Sequence, residues 1–397
     1  MKLTEVYDKQ TAKEFLQVNV IINKNDPHYI RPLEKDVEEV FDPTKNKAYR
    51  FGETRRWILK DDKGKLIGRI AAYVNKKYKT KGDDGHVGGI GFFDCIHDQR
   101  AADLLFDTAK NWLLEKGMTA MDGPINFGER DRWWGLLVDG FEPPLYCMNY
   151  NQPYYKLLFE NYGFEVFFNQ FCFALDTRKR LQEKFYKRHA AISQDPRYSA
   201  EYIKKNNLAK YAHDFTIVYN KAWAGHGGLK QMEERVAVKL FQSLKPVMDE
   251  RLSWIIYHDK QPIGIWLNLP DLNQWFKFLN GKFGTIDKLK FLWYKKTKRC
   301  DKFVGIIFGI VPEFQAKGAD AYMIIEGAKV IQGLTINNGT YTIGKPVYDK
   351  YELQWVGDFN PKMINIAESL GTYRSRKLCT YRYLFDRTKP FKRHPLL

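Results

Sequence analysis

The sequence predicts an α/β protein built from two similar units in tandem, each a mixed and mostly antiparallel sheet flanked by helices. The chain has 397 residues, which suits two domains better than one. Strand-like runs alternate with stretches of helical periodicity. The same order of elements occurs in both halves, and each half ends with a helix, a glycine and a strand.

The composition is that of a folded soluble protein, with 44% hydrophobic and 28% charged residues. No stretch approaches the roughly 18 apolar residues of a membrane-spanning helix, so we expect no stable insertion into a membrane. Residues 1–5 lack the apolar core of a signal peptide, and we expect a cytoplasmic protein. The five cysteines are far apart and form no C-x-x-C pair, so we expect small buried residues rather than disulfides or a zinc site.

The net charge of +17 favours anionic partners. Nucleic acid, anionic lipid, an acidic carrier protein and a nucleotide-like cofactor all fit this charge. The alternative is a soluble protein from an organism with a lysine-rich proteome, since the sequence has no long basic tail and no RNA-binding signature.

The first unit begins with a helix and a hairpin. The hairpin turn ends in Gly64, because glycine accepts a positive φ. Asp98 can cap a long helix that Gly117 ends. In order, the predicted elements are helix 11–20, strands 56–59, 66–74 and 89–95, helix 99–116, strand 120–123, helix 154–162 and strand 164–175.

The second unit repeats this order without any repeat of the sequence itself. Its predicted elements are strand 198–203, helices 207–223 and 231–244, strands 252–257, 263–269 and 304–311, helix 319–332, strand 351–355, helix 361–370 and strand 380–385. We therefore predict domains at residues 1–177 and 197–397, joined by a polar, basic linker at residues 178–196.

The clearest site signal is a turn between a strand and a helix in the second unit, at residues 311–320. An apolar strand ends at Val311, and after the turn a helix begins at Ala319. Backbone N–H groups and the helix dipole favour an anion at such a helix start. Gly318 leaves room for a phosphate to approach the backbone, and Lys317 can add a charge-assisted contact. An ordinary strand-to-helix turn without a ligand is the alternative.

This turn resembles the Gln/Arg-x-x-Gly-x-Gly/Ala turn with which the GNAT acyltransferases hold the pyrophosphate of coenzyme A. Gln315 and Gly318 match the pattern, whereas Asp320 stands where the family has Gly or Ala. The resemblance implies that acetyl-CoA or a longer acyl-CoA binds here. The cofactor contacts that it implies are Ile310, Val311, Gln315, Ala316, Lys317, Gly318, Ala319 and Asn360.

Longer blocks of the sequence resemble a group of large bacterial GNAT-like proteins. Together these blocks cover most of the chain in a specific order. The resemblance implies a GNAT-type fold in both units and leaves the reaction of the group open. The blocks are residues 68–72, 122–127, 135–141, 150–155, 269–273, 308–312 and 355–363.

The equivalent turn of the first unit, at residues 95–101, has no glycine. Asp98 at the start of the following helix would itself occupy the position of an anion. We therefore expect the first unit to be a degenerate copy that shapes a cleft or binds substrate.

GNAT enzymes transfer an acyl group by direct attack of an amine on a thioester, which needs a base for the amine and an acid for the leaving thiolate. In the family the acid is often a tyrosine four residues before the glycine that ends the last helix. The corresponding positions here are Phe159 and Ala367, which have no hydroxyl. The acid must therefore come from elsewhere, and Tyr373 and Tyr381 are candidates.

Glu352 is the candidate base, because its strand should flank the strand that carries the acyl group. A salt-bridged or solvent-facing glutamate is the alternative. Asn360 either caps the last helix or contacts the pantetheine arm. His226 lies in a glycine-rich loop and titrates near neutral pH, so it can act on a substrate; a turn without a chemical role is the alternative. No pair of histidines has metal-ligand spacing, and we predict no metal site.

Residues 288–299 combine lysines with large apolar side chains. A helix would place Leu289, Leu292 and Trp293 on one side. Such a helix suits anionic lipid, RNA or an acidic carrier protein, or it packs on the core with a solvated basic face. It lies in a gap of about 35 residues between strands, which is too long for a structureless loop, so we expect a helical insertion or a lid.

These observations leave three functional hypotheses. The leading one is a bacterial N-acyltransferase that moves an acyl group from CoA, or from an acidic acyl carrier protein, to the amine of a small molecule or peptide. The second is a peptidyltransferase-like enzyme that takes aminoacyl groups from tRNA, which the positive charge would suit. The third is a non-catalytic ligand-binding protein on the same fold, which the two missing tyrosines favour.

Overall fold

The computed structural model describes residues 1–223 and 231–396, and one large sheet runs through it. The first half contains, in order, β1 (Lys2–Glu5), α1 (Lys9–Asn23), α2 (Glu34–Val40), β2 (Gly52–Lys60), β3 (Leu66–Asn75), β4 (Val87–Cys95), α3 (Gln99–Glu115), β5 (Ala120–Gly123), β6 (Leu136–Asp139), α4 (Tyr155–Tyr162), β7 (Glu165–Asp176) and α5 (Glu183–Ile192).

The second half repeats the alternation of strands and helices. It contains, in order, β8 (Tyr198–Tyr202), α6 (Leu208–Ala222), α7 (Glu234–Leu244), β9 (Trp254–His258), β10 (Gln261–Pro270), α8 (Asn273–Phe276), α9 (Thr285–Thr297), β11 (Lys302–Ile310), α10 (Ala319–Ile331), β12 (Thr335–Asn337), β13 (Thr340–Thr342), β14 (Lys350–Gly357), α11 (Pro361–Ser369) and β15 (Tyr373–Leu384).

The last strands of the two halves are exchanged. The strand order of the large sheet is β1-β2-β3-β4-β5-β15-β7-β14-β11-β10-β9-β8. Strand β7, from the first half, pairs antiparallel with β14 of the second half, and β15, from the second half, pairs antiparallel with β5 of the first. Strands β7 and β15 also pair with each other. The sheet therefore continues across the predicted boundary at residues 178–196.

Both faces of the sheet are covered by helices. In β2, Trp57 and Leu59 belong to the apolar cluster under α3 and α4, whereas Ile58 between them belongs to the cluster under α1 and α2. Alternate side chains of a strand point to opposite faces, so these helices lie on opposite sides of the sheet. The predicted ending of each half is confirmed, because Gly163 follows α4 with φ 101° and Gly371 follows α11 with φ 83°.

Three segments without elements in the predicted order contain helices, and the first is α2, between the predicted helix 11–20 and strand 56–59. The segment interpreted as a linker holds α5, and the long gap before β11 holds α8 and α9, which confirms the helical insertion. All five cysteines are free and buried, as predicted. Within residues 1–223 and 231–396, no helix has the length and apolar character needed to cross a bilayer.

Candidate functional site

A gap opens in the sheet between β11 and β14 of the second half. The two strands pair in parallel only from Lys302 to Gly305 and from Lys350 to Leu353. Strand β11 continues to Ile310 and β14 continues to Gly357, but the two strands do not pair there. Among residues 1–223 and 231–396, the far half of β11 therefore has no strand partner on the side of β14, and an extended ligand could bind to its backbone.

The turn after β11 closes through a side chain and leads directly into α10. Nε2 of Gln315 donates a hydrogen bond of 2.9 Å to the carbonyl oxygen of Ile310. Ala316 and Gly318 both have positive φ angles, of 59° and 88°. Among the described residues, the backbone N–H groups of residues 316–321 have no hydrogen-bond acceptor. These N–H groups stand at the positive end of the helix dipole, which is the arrangement that binds anions in proteins.

The equivalent helix start in the first half is already occupied by a side chain. Asp98 accepts hydrogen bonds from the N–H groups of Arg100 (2.9 Å) and Ala101 (3.4 Å). Its carboxylate therefore lies where a phosphate would have to bind, as predicted. The two halves differ at this point, because only the second half leaves the first turn of the helix open.

Helix α5 lies against the turn of the second half. A Cβ atom on Gly318 would lie 2.9 Å from Cδ1 of Ile192 and 3.5 Å from Cβ of Arg188. Glycine is therefore required by the positive φ and by this close approach, in addition to the room for a phosphate argued from the sequence. Arg188 and Lys317 are both exposed beside the turn and bring two positive charges to it.

Arg188 was missed at the sequence level because residues 178–196 were interpreted as a linker. The signal was present in the spacing of the buried side chains, which fits one face of a helix. These side chains are Leu181, Phe185, Tyr186 and His189.

Three other predicted cofactor contacts lie at the two ends of this turn, and Asn360 lies at the start of α11. Ile310 and Val311 are buried at the end of β11, and Ala319 is buried at the first position of α10. Asn360 caps α11, since its side-chain oxygen accepts a hydrogen bond of 3.2 Å from the N–H group of Met363. Its contact with a pantetheine arm stays a prediction.

Glu352 lies in the paired part of β14 and takes part in a buried ion cluster. Its Oε1 accepts hydrogen bonds of 2.8 Å from Nε of Arg376 and from Oγ of Ser375, and its Oε2 accepts one of 3.0 Å from Nζ of Lys302. Burial alone would raise the pKa of Glu352, but the charges of Arg376 and Lys302 lower this pKa to about 2. Both oxygens are engaged and the group stays ionised at neutral pH, which suits a structural ion pair.

Asp271 is a second buried carboxylate near this cluster. One oxygen accepts a hydrogen bond of 3.2 Å from the N–H group of Asn273. Burial is the largest cause that raises the pKa of Asp271 to about 6, with Lys302 lowering the pKa and Glu352 raising it. Asp271 and Lys302 also line a cleft whose other wall comes from the first half, including His28. Asp271 therefore titrates near neutral pH beside a cleft, and the sequence marked it only as part of the block at residues 269–273.

Tyr381 lies in the core of the first half because β15 pairs with β5, placing Tyr381 opposite Gly123. Its hydroxyl donates a hydrogen bond of 3.1 Å to Oε1 of Glu160, and its ring lies 5.5 Å from that of Phe159. Burial holds the pKa of Tyr381 well above its usual range. The structure thus separates Tyr381 from the turn of the second half, and His226 lies outside the described residues.

An apolar cleft lies between α10 and α11, next to the gap in the sheet. The space measures about 680 Å³ including its open mouth. Its walls include Phe308 of β11, Leu353 of β14, Ile324 and Ala328 of α10, and Ile366 of α11. Gln332 is a polar exception, and its buried Oε1 has no hydrogen-bond partner among the described residues. The cleft therefore presents an apolar surface beside the gap.

Two relatives of similar length align with nearly the whole chain, although no family model matches it. Bacterial ceramide synthase from Caulobacter vibrioides is 27% identical over 374 residues, which are 91% of this chain and 93% of that protein. Protein YghO from Escherichia coli is 24% identical over 370 residues, which are 92% of this chain and 90% of that protein.

Two solved structures share the fold. A tandem GNAT protein from the clavulanic acid biosynthesis pathway is similar with a TM-score of 0.52 and 10% identity, covering 98% of this chain and 100% of that one. A GCN5-related glucosamine N-acetyltransferase region of a fungal multi-domain β-N-acetylglucosaminidase is similar with a TM-score of 0.53 and 10% identity, covering 96% of this chain and 38% of that one. These likenesses show the fold over essentially the whole chain.

Proposed function

Because the chain is a tandem GNAT protein in fold, we propose that it is an N-acyltransferase whose second half binds acyl-CoA. The observation that carries the proposal is the run of backbone N–H groups at residues 316–321, which lack acceptors among the described residues and lead into α10. In the first half Asp98 occupies the corresponding place, so we assign the donor to the second half alone.

The residues around the turn fit a diphosphate and the arm that follows it. Lys317 and Arg188 supply positive charge, and Gly318 lets the backbone approach. Asp320 in the first turn of α10 opposes an anion, and these two cations offset its charge. The free edge of β11 would orient the extended arm, and the apolar cleft between α10 and α11 would hold hydrophobic parts of the donor.

Bound acyl-CoA supplies a thioester carbonyl that an amine attacks directly. The amide bond forms as the carbon–sulfur bond breaks, and the CoA thiolate leaves and takes up a proton from solvent. The chain itself has to orient the donor and to accept a proton from the amine. We propose Asp271 as the proton acceptor, because it lines a cleft between the two halves beside Lys302, and because a base works best when its pKa lies near the working pH, as does the pKa of about 6 for Asp271. Glu352, with a pKa of about 2 and three hydrogen bonds, would instead hold Lys302 and Arg376 in place.

The acceptor that we propose is the amine of a lipid-like amino alcohol. One relative over nearly the full length is named as a ceramide synthase, and a ceramide is an amide between a fatty acid and a long-chain amino alcohol. The amine of such a substrate would enter the cleft that Asp271 and Lys302 line, which shares no lining residue with the apolar cleft assigned to the donor.

Binding of CoA tests the donor site without knowledge of the acceptor. We expect CoA to raise the melting temperature of the wild type, because a ligand that binds only the folded state stabilises it. Lys317→Glu should weaken CoA binding by about tenfold or more in calorimetry, because it places a negative charge beside the phosphates. Gly318→Glu should abolish binding, since a side chain would collide with Ile192 and fill the phosphate site.

The matched control is Lys63→Glu, which makes the same charge change at an exposed position in the hairpin turn of the first half. This variant should bind CoA like the wild type. Lys317 is also exposed, so a folding defect is not expected to explain its effect. A wild type whose melting temperature and heat of mixing do not respond to millimolar CoA would overturn the proposal.

A further inference from the structure

Helix α9 presents large apolar side chains to the outside of the molecule. Ile286, Leu289, Leu292 and Trp293 are 70%, 65%, 54% and 57% exposed. Just before the helix, Phe278 is 42% exposed, and its ring lies 5.0 Å from that of Tyr294 on α9. We call Phe278, Ile286, Leu289, Leu292 and Trp293 the α9 patch.

Helix α9 turns its apolar face to the outside, whereas an ordinary surface helix turns its apolar face to the core. Its one buried residue is Phe291, which packs with Trp275 and Phe276 of α8. The spacings from Ile286 to Leu289 and to Trp293 place these residues on one face, because positions three and seven apart follow the helical repeat. With 3.6 residues per turn, this face points away from Phe291, so the exposed side of the helix is the apolar one.

Positive charges surround the α9 patch. The exposed lysines on or next to the helix are Lys277, Lys282, Lys288, Lys290, Lys296 and Lys298. In the described part of the chain, the one ion pair that any of them forms is between Lys290 and Asp287, at 3.9 Å. The whole chain carries a net charge of +17, so this face adds to a general attraction for anionic surfaces.

The combination of aliphatic side chains, one tryptophan and flanking lysines matches an interfacial helix of a membrane-binding protein. Nucleic acid would contact the lysines through its phosphates and stack its bases on aromatic rings. It would leave the aliphatic side chains of Ile286, Leu289 and Leu292 without an apolar partner. A bilayer uses both parts, because hydrocarbon accepts the aliphatic groups while anionic headgroups attract the lysines. Trp293 has the amphipathic ring that favours the boundary between them.

We propose that the α9 patch docks the protein on the surface of an anionic phospholipid bilayer. Helix α9 is about 20 Å long at 1.5 Å per residue, and it would lie in the plane of the interface with the patch among the headgroups and upper acyl chains. This inference does not depend on the proposed function, since it rests on the surface of α9 alone.

Vesicle binding tests the proposal with the intact chain. The wild type should co-sediment with vesicles of equal parts phosphatidylcholine and phosphatidylglycerol, and much less with phosphatidylcholine alone. Leu289→Gln/Leu292→Gln/Trp293→Gln should lower the bound fraction at least about tenfold, because it removes the apolar contact while keeping every lysine. Lys288→Gln/Lys290→Gln/Lys296→Gln should lower the bound fraction and make it less sensitive to salt, because three of the six exposed lysines around the patch are removed.

The matched control is Leu114→Gln/Leu157→Gln, which removes two exposed leucines from helices of the first half. This variant should bind vesicles like the wild type. Because the residues of the patch are exposed, the triple apolar variant should keep the circular dichroism spectrum of the wild type. Trp293 should also change its environment, so the blue shift of fluorescence on adding vesicles should be smaller in Trp293→Phe.

Three outcomes would overturn the proposal. The first is a wild type that ignores vesicles of both compositions. The second is a triple apolar variant that binds as well as the wild type. That result would show that the net positive charge of the protein, and not the α9 patch, causes vesicle binding. The third is a single-stranded RNA oligonucleotide that binds more tightly than the vesicles and loses affinity in the same triple variant, since that would make α9 an RNA surface.

Discussion

Buried charged side chains hold β15 to both halves of the molecule. Arg376 of β15 binds Glu352 of the second half and donates hydrogen bonds to the carbonyl oxygens of Glu142 and Pro143 in the first. Arg382, further along β15, binds Asp122 of the first half through both carboxylate oxygens, at 2.6 and 2.8 Å. Removing one partner of such a pair leaves an uncompensated charge in the interior, which is costly.

Glu352→Gln should therefore destabilise the protein at neutral pH by about 3–5 kcal/mol, measured by urea unfolding. The pKa of Glu352 is about 2 in the folded protein against its usual 4.5. A carboxyl whose pKa is lowered contributes stability above its unfolded pKa and loses it as the pH falls toward the folded pKa. The difference between wild type and variant should thus shrink below pH 4.5. A difference that stays constant into acid would contradict the ion-pair role.

Asp271→Asn is the companion variant, and its effect on the free energy of unfolding should have the opposite sign to that of Glu352→Gln. Burial raises the pKa of Asp271 to about 6 from its usual 3.8. Its contribution to stability is therefore present below pH 3.8 and lost as the pH rises through 6. At pH 7 the variant should be more stable than the wild type by about 3 kcal/mol. Its acyl transfer should nevertheless fall by about a hundredfold, and unchanged kcat would remove Asp271 from the mechanism.

At the residue scale, local features were predictable and distant partners were not. Gly318 and Asp98 could be found because a turn and a helix cap are made by neighbouring residues. The partners of Glu352 and Tyr381 come from other parts of the chain, and a single sequence does not show which strands meet. Arg376 and Glu160 accordingly had no place in the sequence prediction.

At the element scale, α5 is the helix that completes the candidate donor site. Nε2 of His189 lies 2.8 Å from Oε1 of Glu326 on α10, and Nδ1 of His189 lies 3.0 Å from the hydroxyl of Tyr341. Apolar contacts between Phe185 and α10 add to these bonds. The position of Arg188 beside the turn therefore depends on how α5 packs on α10.

His189→Ala should loosen this packing and cost about 1–3 kcal/mol, because it leaves buried hydrogen-bonding groups unpaired. Amide hydrogen exchange in residues 183–192 should accelerate, and CoA affinity should fall as Arg188 moves away. The control is His213→Ala, which removes an exposed histidine paired with Glu234 at 2.8 Å and should have no measurable effect on stability. Unchanged exchange in α5 of the His189 variant would refute this account.

Most helices and strands of both halves could be predicted from periodicity, caps and glycines. Helix α5 was missed because its polar composition outweighed the spacing of its buried residues. Strands β12 and β13 are three residues each, which is too short for a periodic signal. The helical insertion before β11 was expected from its length alone, but the outward orientation of its apolar residues requires the packing of Phe291.

At the scale of the whole molecule, the exchange of β7 and β15 makes each half incomplete without the other. Strand β5 has β15 as its neighbour on one side, and β14 has β7. The predicted division at residues 1–177 and 197–397 remains a prediction about homologous units. This division follows the order of elements along the chain. No local feature of β7 or β15 indicates that the strand pairs with the other half.

Truncation after residue 372, which removes β15, should therefore leave no folded half. We expect the product to be insoluble or unfolded by circular dichroism, because β5 and β7 would both have free edges and Asp122 and Glu352 would lose their arginines. Truncation after residue 389 retains β15 and should stay soluble, with one cooperative thermal transition. A soluble, cooperatively folding 1–372 fragment would show that the halves are independent.

The exchange also bears on the order in which the chain is synthesised. A ribosome makes β15 after every other strand described here. The strand that lies between β5 and β7 of the first half is therefore absent until nearly all of the second half has been made. During that time β5 and β7 display unpaired edges of the kind that chaperones bind. An interrupted translation product therefore lacks the strand that lies between β5 and β7.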